Sequence, residues 1–450
     1  MTENYLEDAS GLRGHADRVI VPADESAVAE ALREAAAAGA SVTIAGAGTG
    51  VTGGGVPFGG WVLSLEKFNR LEVRSGYAIV GAGVLLRDLH AAAQRSGQFY
   101  PPDPTETAAS IGGTIATNAS GSRSFKYGAT RRWIESLRVV LAGPDGHPAV
   151  REFQRGDAID FNPGAIPLPK VRKNTAGYLL RPGMDWPDLF CGSEGTLGVI
   201  AEARVRLLPI PPAILSGVLF FPTGDAALGA VEAWRGSVPG LRMLEYMDVN
   251  SLRLLRERFS AIPAEAAAAL LIEDEETDVD AWLDRIAAAG VLEEASWFGM
   301  SAGDRERFRH FRHALPEIVN DTVRRNGYKK MHTDYAVPVK RNGEMLAYYR
   351  RRLEEEFPGR YVIFGHIGDA HVHINVLSGD AGPLLEEFAR QAVALGGTVS
   401  AEHGLGKRKA ALLALQYAPE HLEAMRAVKR RLDPHNLLGR GTLWGDGLSA

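Results

Sequence analysis

A glycine-rich segment placed directly after a predicted buried strand constrains this chain more than any other feature of its sequence. The segment TIAGAGTGVTGGGVPFGG occupies residues 43–60, and its portion from Gly48 to Gly53 fits the pattern GxGxxG. In the nicotinamide dinucleotide fold a helix begins inside this pattern and points its N-terminus at a pyrophosphate. Here the helical position holds TGGGVP, and three glycines before a proline do not propagate a helix. No acidic residue about 20 positions later ends a second strand, so the nicotinamide fold is excluded.

The same loop is suited to an anion that is held by backbone groups. Successive peptide N–H groups without intervening side chains form a nest for a pyrophosphate. A flexible surface loop is the alternative, and we favour a ligand loop because the glycines follow a buried strand directly. Two further clusters of small residues occur at 100–133 (YPPDPTETAASIGGTIATNASGSRSFKYGATRRW) and 191–203 (CGSEGTLGVIAEA). A large flat ligand could lie against such small side chains, whereas the competing interpretation is a tightly packed turn.

Composition excludes several classes of protein. At 450 residues the chain is expected to form two or three domains. The formal net charge of -5 gives no indication of a nucleic-acid or anionic-membrane partner. The single cysteine, Cys191, excludes an intrachain disulfide framework and an iron–sulfur cluster held by this chain alone. No apolar run approaches the roughly 18 to 20 residues that span a bilayer, and we expect a cytoplasmic protein.

Histidines are concentrated in one short segment. FGHIGDAHVHIN, residues 364–375, contains His366, His371 and His373, three of only 12 histidines in the chain. The Gly-Asp pair predicts a turn, and on the strand after it His371, His373 and Asn375 would share one face. SAEHGLGKRK at 400–409 adds Glu402 and His403. Imidazoles with one carboxylate suit Zn²⁺, Mn²⁺ or Fe²⁺, and hydrogen-bonded histidines in a core or cleft are the alternative.

The coarse pattern of elements changes along the chain. Strands and glycine loops dominate up to a proline cluster at 209–215 (PIPPAIL), which is the best predicted domain boundary. Amphipathic helical patterns dominate after it, including 302–325, 342–356 and the C-terminal HLEAMRAVKRRLDP. The segment AAAALLIEDEE at 266–276 predicts the end of a helix followed by a buried strand, and KRKAALLALQ predicts a helix.

The three small-residue clusters together resemble the FAD-binding domain of the FAD-linked oxidases, the family that includes vanillyl-alcohol oxidase. The resemblance covers nearly the whole chain and is strongest to the D-2-hydroxyacid dehydrogenase branch, with its glycolate oxidase flavin subunits, D-lactate dehydrogenases and D-2-hydroxyglutarate dehydrogenases. It implies an α+β fold with a two-subdomain PCMH-type FAD-binding domain at residues 12–209. An α+β substrate-cap domain with an antiparallel sheet would follow at 210–410. A helical segment at 411–450 would return to the flavin through LDPHNLLGRG.

The resemblance also implies which residues hold FAD. The pyrophosphate would be held by one group in the first loop: Gly46, Gly48, Thr49, Gly50, Gly53 and Gly54. The adenosine and flavin portions would be lined by residues of the other clusters: Pro102, Gly112, Gly113, Asn118, Ser120, Gly128, Glu194, Gly198 and Ile200. Asn436 would sit near the isoalloxazine. Some family members attach FAD through a histidine in the first loop, which has no His or Cys here, so we expect non-covalent FAD.

For the substrate site, the resemblance implies a divalent metal, Zn²⁺ or Mn²⁺, held by His366, His373 and Glu402. His403 would be the catalytic base, and His371 a neighbour on the substrate side. Histidine has the near-neutral pKa that such a base requires. Arg312, in RHALPE, would clamp the substrate carboxylate, because a guanidinium binds a carboxylate in two-pronged fashion. An exposed basic helix face is nearly as good an explanation for Arg309 and Arg312.

One departure from the family pattern bears on the substrate. Relatives that handle dicarboxylates place a lysine where His332 stands, and Lys330 is two positions earlier. This places a dicarboxylate in doubt and leaves lactate-like or glycolate-like acids at least as well supported as 2-hydroxyglutarate.

The expected function is therefore oxidation of a D-2-hydroxy acid to the 2-oxo acid, with the hydride passing to flavin N5. Electrons would leave to an external acceptor, such as an iron–sulfur subunit, an electron-transfer flavoprotein or a quinone, which could place the protein at the inner face of a membrane. A homodimer is the default assembly. Three alternatives stay open: an alkylglycerone-phosphate synthase-like transferase, in which Glu402 would interrupt the family's histidine run; a metal-dependent hydrolase; and a flavin-binding protein without catalysis.

Overall fold

The structure is a computed structural model that describes residues 3–143, 147–328 and 331–445. The described strands, in chain order, are β1 Arg18–Ile20, β2 Val42–Ala45, β3 Trp61–Ser64, β4 Leu71–Arg74, β5 Tyr77–Gly81, β6 Gln98–Phe99, β7 Ile134–Leu141, β8 Ala149–Gln154, β9 Val199–Arg206, β10 Leu208–Pro209, β11 Leu215–Phe221, β12 Leu241–Asp248, β13 Ala268–Asp274, β14 Trp297–Gly299, β15 Met331–His332, β16 Tyr361–Gly365 and β17 His373–Val376.

The described α-helices are α1 Glu25–Ala37, α2 Leu86–Arg95, α3 Ile111–Ala116, α4 Ser124–Tyr127, α5 Trp186–Phe190, α6 Gly224–Trp234, α7 Val249–Leu255, α8 Val279–Ala288, α9 Ala302–Arg325, α10 Asn342–Glu356, α11 Gly382–Ala394, α12 Leu413–Gln416 and α13 Pro419–Leu432. Within the described ranges, none of these helices has both the length and the apolar character needed to cross a bilayer.

The first layer is a small parallel sheet with strand order β1-β3-β2. Helix α1 covers it, and Asp24 caps that helix by accepting the N–H of Ala27 at 2.9 Å. The covering face of α1 buries Val28 and Leu32 against β2 and β3. A late segment of the chain completes this core, because Leu437 and Leu438 belong to the same buried cluster. The glycine loop leaves this sheet at the carboxyl end of β2.

The second layer is an antiparallel five-stranded sheet with strand order β4-β5-β9-β7-β8. Its central strand β9 begins within the third small-residue cluster. Helix α3, which carries the second cluster, packs against β9 and β5. Both clusters are therefore fixed to one sheet.

The C-terminal half is built on an antiparallel seven-stranded sheet with strand order β14-β11-β13-β12-β16-β17-β15. Every residue of β11, β12 and β13 is buried, because helices cover both faces of these central strands. One face packs on α7 and α9 through a separate buried cluster that includes Phe311 and Leu315. The overall architecture is α+β with antiparallel sheets, as the sequence predicted.

A partly buried ionic network joins the two halves beside α4. Arg123 Nε donates to Glu273 Oε2 at 2.8 Å, and Lys126 Nζ lies 2.7 Å from Glu275 Oε2. Arg242 on β12 donates to the same Glu273 oxygen at 2.8 Å. Since both glutamates lie at the end of β13 or just beyond it, this network holds the N-terminal half against the strand ends of the seven-stranded sheet.

Two local expectations were wrong. The alanines at 266–267 do not end a helix; a turn leads directly into β13, since pairing with β11 and β12 overrides alanine's helical preference. KRKAALLALQ forms only a 3-10 turn over Ala410–Leu412 and the short α12. Its first residues instead bond to the glycine loop.

Candidate active site

Two histidines and a glutamate from distant parts of the chain converge on one point. Strand β16 ends at Gly365, a 3-10 turn over Ile367–Asp369 reverses the chain, and β17 begins at His373. This turn places His366 beside His373. His366 Nε2 lies 3.2 Å from Glu402 Oε1, and His373 Nε2 lies 3.1 Å from the same oxygen.

The outer nitrogen of each of these rings also has a partner. His366 Nδ1 lies 2.6 Å from Glu245 Oε1, and His373 Nδ1 lies 3.1 Å from the carbonyl oxygen of Thr333. Such outer partners fix ring orientation in metal sites. Both Nε2 atoms are thereby directed toward Glu402.

Glu402 is itself oriented by the N-terminal half. Ser120 Oγ and Lys173 Nζ each donate to Glu402 Oε2 at 3.1 Å, which leaves Oε1 facing the histidines. Burial acts to raise the pKa of Glu402, but His366 and Lys173 overcome it and hold that pKa well below its ordinary value. The carboxylate is therefore ionised and able to bind a cation.

The donor atoms fit a divalent cation. One nitrogen or oxygen from each of His366, His371, His373 and Glu402 lies within 4.8 Å of the others. Imidazoles with one carboxylate are the ligands that Zn²⁺ and related ions accept. Burial lowers the pKa of His371 to about 3, which keeps that ring neutral. Burial also acts to lower the pKa of His366, but Glu245 and Glu402 raise it to about 9, so a cation would compete with a proton there.

His403 lies at the edge of this cluster. Its ring stacks on His373 with centroids 5.3 Å apart, and its Nε2 lies 3.6 Å from Glu402 Oε1. Burial lowers the pKa of His403, although Asp334 and Glu402 act in the opposite direction. The side chain is 26% exposed, so a neutral imidazole is accessible to a small molecule.

Arg312 and Arg309 have different surroundings. Arg312 Nε donates to Glu245 Oε2 at 2.9 Å, and its Nη1 donates to Thr105 Oγ1 at 3.3 Å. Arg309 is exposed and pairs with Glu306 on its own helix. Arg309 thus belongs to an exposed basic face of the helix. Arg312 is instead largely buried beside Glu245, the carboxylate that also contacts His366.

The remaining predicted substrate residues lie on two sides of the histidines. His332 lies on β15, and its ring is 5.4 Å from that of His403, nearly perpendicular to it. His371 is fully buried, with its Nε2 3.2 Å from Asp334 Oδ1. Lys330 lies outside the described residues.

The glycine loop meets the His403 segment directly. Thr52 O accepts the backbone N–H groups of Lys407 and Arg408 at 3.1 and 3.0 Å, and Lys407 Nζ donates to Gly54 O at 3.1 Å. From the third cluster, Glu194 accepts two more backbone N–H groups of this segment, at 2.9 and 2.7 Å. Because of these contacts, the predicted pyrophosphate loop lies directly against the segment that carries the predicted base.

Strained backbone marks the predicted cofactor segments. Among the described residues other than glycine, positive φ angles occur at Asn118 (49°), Glu194 (52°), Ala370 (53°), Asn436 (46°) and Leu443 (68°). Asn118, Glu194 and Asn436 are predicted cofactor residues, and Ala370 lies in the turn between His366 and His371. Strain of this kind clusters at functional sites.

The predicted cofactor residues do not all have the same surroundings. In the loop, Gly48 and Gly53 have φ angles of 71° and 76°, and Gly46, Thr49, Gly50 and Gly54 lie between β2 and β3, where no helix forms. Four others make contacts within the protein. Gly128 follows the last residue of α4, Gly198 packs on Val139, and Ile200 pairs with Val139 on β7. The carbonyl oxygen of Pro102 lies 3.2 Å from His90 Nε2. Gly112 and Gly113 lie in α3.

Two observations test whether the glycine loop and the two later clusters fit FAD. Ser193 Oγ and Asn436 Oδ1 are buried without a hydrogen-bond partner in the described part of the chain. The first and second clusters approach each other closely, since a Cβ added at Gly46 would come within 2.6 Å of Ser110 Oγ. Buried polar atoms without a partner are uncommon in folded proteins, and a large polar cofactor would satisfy them.

Three polar residues of this site were missed in the sequence. Glu245 lies within the buried strand β12, Asp334 follows β15, and Lys173 lies in an irregular segment after β8. None belongs to a local motif, so only tertiary structure brings them to the histidines.

Comparisons with known proteins identify the family of this chain. Residues 210–443 match the family model described as FAD linked oxidases, C-terminal domain, and residues 16–148 match the one described as FAD binding domain. A D-lactate dehydrogenase of Archaeoglobus fulgidus is 34% identical, covering 94% of this chain and 90% of the relative. A D-2-hydroxyglutarate dehydrogenase of Xanthomonas citri pv. viticola and the glycolate oxidase subunit GlcD of Bacillus subtilis are each 30% identical, covering 95% of this chain and 89% of the relative.

A solved structure also shares the fold. An alkyldihydroxyacetonephosphate synthase superposes with a TM-score of 0.67 over 94% of this chain and 75% of that chain, at 16% identity. At that identity the likeness concerns the fold alone. The two family models and the relatives at 30% identity or more lead to one conclusion: this chain belongs to the family of FAD-linked oxidases.

Proposed function

We propose that this FAD-dependent oxidoreductase converts a D-2-hydroxy acid to the corresponding 2-oxo acid. The observation that carries the proposal is the convergence of His366 Nε2 and His373 Nε2 on one oxygen of Glu402, beside His403 and against the glycine loop. The hydroxy-acid names of relatives that align over nearly the whole chain support the same substrate class.

His403 would take the proton of the substrate hydroxyl. Its ring is neutral, because burial lowers its pKa, and its accessible edge lies next to the carboxylate of Glu402. FAD, when bound, would supply the hydride acceptor at N5. The Cα hydride carries two electrons and one proton, and the hydroxyl proton taken by His403 is the second proton of the two-electron oxidation. A neutral imidazole in this place is suited to general base catalysis.

His366, His373 and Glu402 would hold a divalent cation, Zn²⁺ or Mn²⁺, with His371 as their neighbour. Such an ion, when bound, acidifies and orients a hydroxyl group. The chain's own contribution is the fixed direction of the two Nε2 atoms and of Glu402 Oε1. Removing the ion with a chelator should slow oxidation while FAD stays bound.

Arg312 would orient the substrate carboxylate. Glu245 occupies its Nε edge, whereas the Nη1 group makes only a long contact, 3.3 Å, to Thr105. The Nη1 side is therefore the side on which a substrate would bind. His332 stands beside His403 and offers a weaker anchor than lysine for a second carboxylate. We therefore favour lactate-like or glycolate-like acids over 2-hydroxyglutarate.

The FAD would be held without a covalent bond, by the glycine loop and the two later clusters. Electrons would pass to a separate acceptor: an iron–sulfur subunit, an electron-transfer flavoprotein or a quinone. We place the protein in the cytoplasm, with attachment to the inner membrane face only through that acceptor, and a homodimer is the default assembly.

An anaerobic flavin spectrum tests this function. Purified protein is mixed with D- and L-lactate, glycolate, D- and L-malate and D- and L-2-hydroxyglutarate, and flavin bleaching is followed. We expect bleaching by a D-acid or by glycolate, its loss in His403→Ala and its retention in the matched control His310→Ala, a histidine on the exposed face of α9. Acid denaturation should release all of the yellow colour into the supernatant.

Other outcomes point elsewhere. Flavin bands that no acid bleaches would favour the synthase-like transferase or a binding protein without catalysis. A protein that takes up no flavin, even after reconstitution with FAD, would favour a metal-dependent hydrolase in which the histidines hold the metal.

A further inference from the structure

A buried carboxylate holds the segment that carries both Glu402 and His403. Asp334 is fully buried, two residues after β15. Its Oδ2 accepts the backbone N–H of His403 at 2.9 Å and the hydroxyl of Ser400 at 2.8 Å. The backbone N–H of Glu402 lies 3.3 Å from both of its oxygens. One side chain thus fixes the backbone of two adjacent residues of the candidate site.

The same carboxylate faces two imidazoles. Asp334 Oδ1 lies 3.2 Å from His371 Nε2 and 3.5 Å from His403 Nδ1. The other nitrogen of His403, Nε2, faces Glu402 Oε1 at 3.6 Å. Stacking on His373 and an edge contact with His332 confine the ring between two neighbours.

The ring of His403 can therefore hold its proton in two ways. A carboxylate favours the N–H on the nitrogen that faces it, and a base oriented by such a third group is a recurrent arrangement in enzymes. Asp334 faces Nδ1. With the hydrogen on Nδ1, the lone pair of Nε2 is directed toward the cluster of His373 and Glu402.

We propose that Asp334 is the positioning residue of the base: it places His403 by its backbone and keeps the hydrogen on Nδ1, so that Nε2 receives the substrate proton. This role rests on the proposed hydroxy-acid oxidation. Asp334 acts through His403 and touches neither substrate nor cofactor.

A second arrangement of the same atoms competes with this role. Ligand atoms of Asp334, His373 and His403 also lie within 4.8 Å of one another, as a second cation site would require. That arrangement predicts two metal equivalents per chain, one of them dependent on Asp334. A positioning role predicts that the metal content does not change when Asp334 is replaced.

A double-mutant cycle separates a residue that acts through His403 from one that only supports the fold. The proteins are wild type, Asp334→Asn, His403→Ala and the double variant, each with FAD bound. The measured quantity is the anaerobic rate constant of flavin bleaching at saturating hydroxy acid, followed for hours in the slow variants. Substrate Kd, FAD content and metal content are recorded for each.

Asp334→Asn should lower the bleaching rate about 100-fold in the wild-type background, since general base catalysis contributes about that much or more. In the His403→Ala background the same change should cost less than about threefold, because the base through which Asp334 acts is gone. Substrate Kd and metal content should stay within about twofold.

Asp248→Asn is the matched control. Asp248 is also a buried aspartate of the C-terminal half, and its carboxylate accepts a backbone N–H at 2.8 Å and a serine hydroxyl at 2.6 Å, both from Ser251. It should change the bleaching rate little, and equally in both backgrounds. A second variant, Asp334→Glu, keeps the charge and should bleach at least tenfold faster than Asp334→Asn. If Asp334→Asn does not retain FAD, Asp334→Glu replaces it in the double-mutant cycle.

Equal losses in the two backgrounds, or loss of one of two metal equivalents, would overturn the positioning role. If His403→Ala bleaches too slowly to follow, the comparison of Asp334→Asn with Asp334→Glu decides, and equal rates for the two contradict the role. A His403→Ala protein that bleaches as fast as wild type would instead overturn the proposed function, so the two failures are distinct.

Discussion

His366 Nδ1 lies 2.6 Å from Oε1 of Glu245, in a pair whose side chains are 5% and 3% exposed. The other oxygen of Glu245 accepts from Arg312 Nε at 2.9 Å. Burial acts to raise the pKa of Glu245, but His366 and Arg312 overcome it and hold that pKa far below its ordinary value. One ionised carboxylate on β12 thus couples a proposed metal ligand to the proposed substrate clamp.

Glu245→Gln should weaken metal binding and substrate binding together. The amide removes the charge that orients His366, and loss of such an outer partner costs about 10- to 100-fold in metal affinity or activity. Arg312 would lose its fixed edge, so the Kd of the hydroxy acid should rise as well. Metal affinity is measured by chelator competition and substrate Kd by flavin titration. Glu273→Gln is the control, because Glu273 pairs with Arg123 and Arg242 away from the histidines; equal metal loss in both variants would contradict the coupling.

The stability of the fold should depend on pH through Asp248. Burial raises the pKa of this N-cap carboxyl of α7 from 3.8 to about 6. Because the folded state binds the proton more tightly than the unfolded state, this contribution to stability is present below pH 3.8 and is lost as the pH rises to about 6. The free energy of unfolding of wild type relative to Asp248→Asn should therefore fall by about 3 kcal/mol between pH 3.5 and pH 7. Urea titrations at both pH values measure it, and a constant difference would show that the carboxyl is not perturbed.

Two adjacent glycines of α3 should respond differently to alanine. A Cβ at Gly112 would come within 2.7 Å of the Ala82 Cβ and 3.1 Å of its carbonyl oxygen, whereas a Cβ at Gly113 would meet only Ser110 Oγ at 3.1 Å. Gly112→Ala should thus destabilise the fold by about 1–3 kcal/mol, the usual cost of overpacking. Gly113→Ala should leave stability nearly unchanged and weaken FAD binding if this glycine faces the cofactor. Thermal unfolding of the FAD-free proteins and FAD titration separate the two effects, and equal losses of stability would contradict the packing argument.

Glu194→Gln should loosen the contact between the third cluster and the His403 segment. Burial raises the pKa of Glu194 to about 7, and the N–H groups of Leu405 and Gly406 oppose that shift. A glutamine offers one acceptor and turns an N–H₂ group toward the second N–H, and an unsatisfied buried donor costs about 1–3 kcal/mol. The Kd for FAD, followed by flavin fluorescence, should rise about tenfold or more. Glu202→Gln, on the part-exposed face of β9, should leave it unchanged; the same Kd in both variants would contradict this prediction.

Sequence motifs predicted the parts of the site that are local. His366 and His373 are separated by a turn that Gly368 and Asp369 indicate, and the structure brings both rings to Glu402. The glycine loop could be distinguished from a nicotinamide site because a helix cannot follow it. In both cases the decisive information lies within about a dozen consecutive residues.

The carboxylates behind the histidines could not be predicted in this way. Glu245 is one of three charged residues in a strand whose eight residues are all buried, and its partner His366 is 121 positions away. Asp334 likewise has its partners near residue 400. Nothing in LRMLEYMD or HTDYAVP distinguishes these residues from polar groups at the ends of strands. Their roles depend on sheet order and on the packing of one half against the other.

The parallel sheet under the glycine loop also bears on how the protein is made. Val42 at the start of β2 donates to Leu437 O at 2.7 Å, and its own carbonyl accepts the N–H of Gly439 at 2.9 Å. These late residues supply part of the core beneath the loop. During translation the ribosome releases β2 long before Leu437 exists, so the first sheet stays incomplete while the C-terminal half is synthesised. Tight retention of the flavin should therefore arise only after that late segment has emerged, and a nascent chain stalled before it should not become yellow.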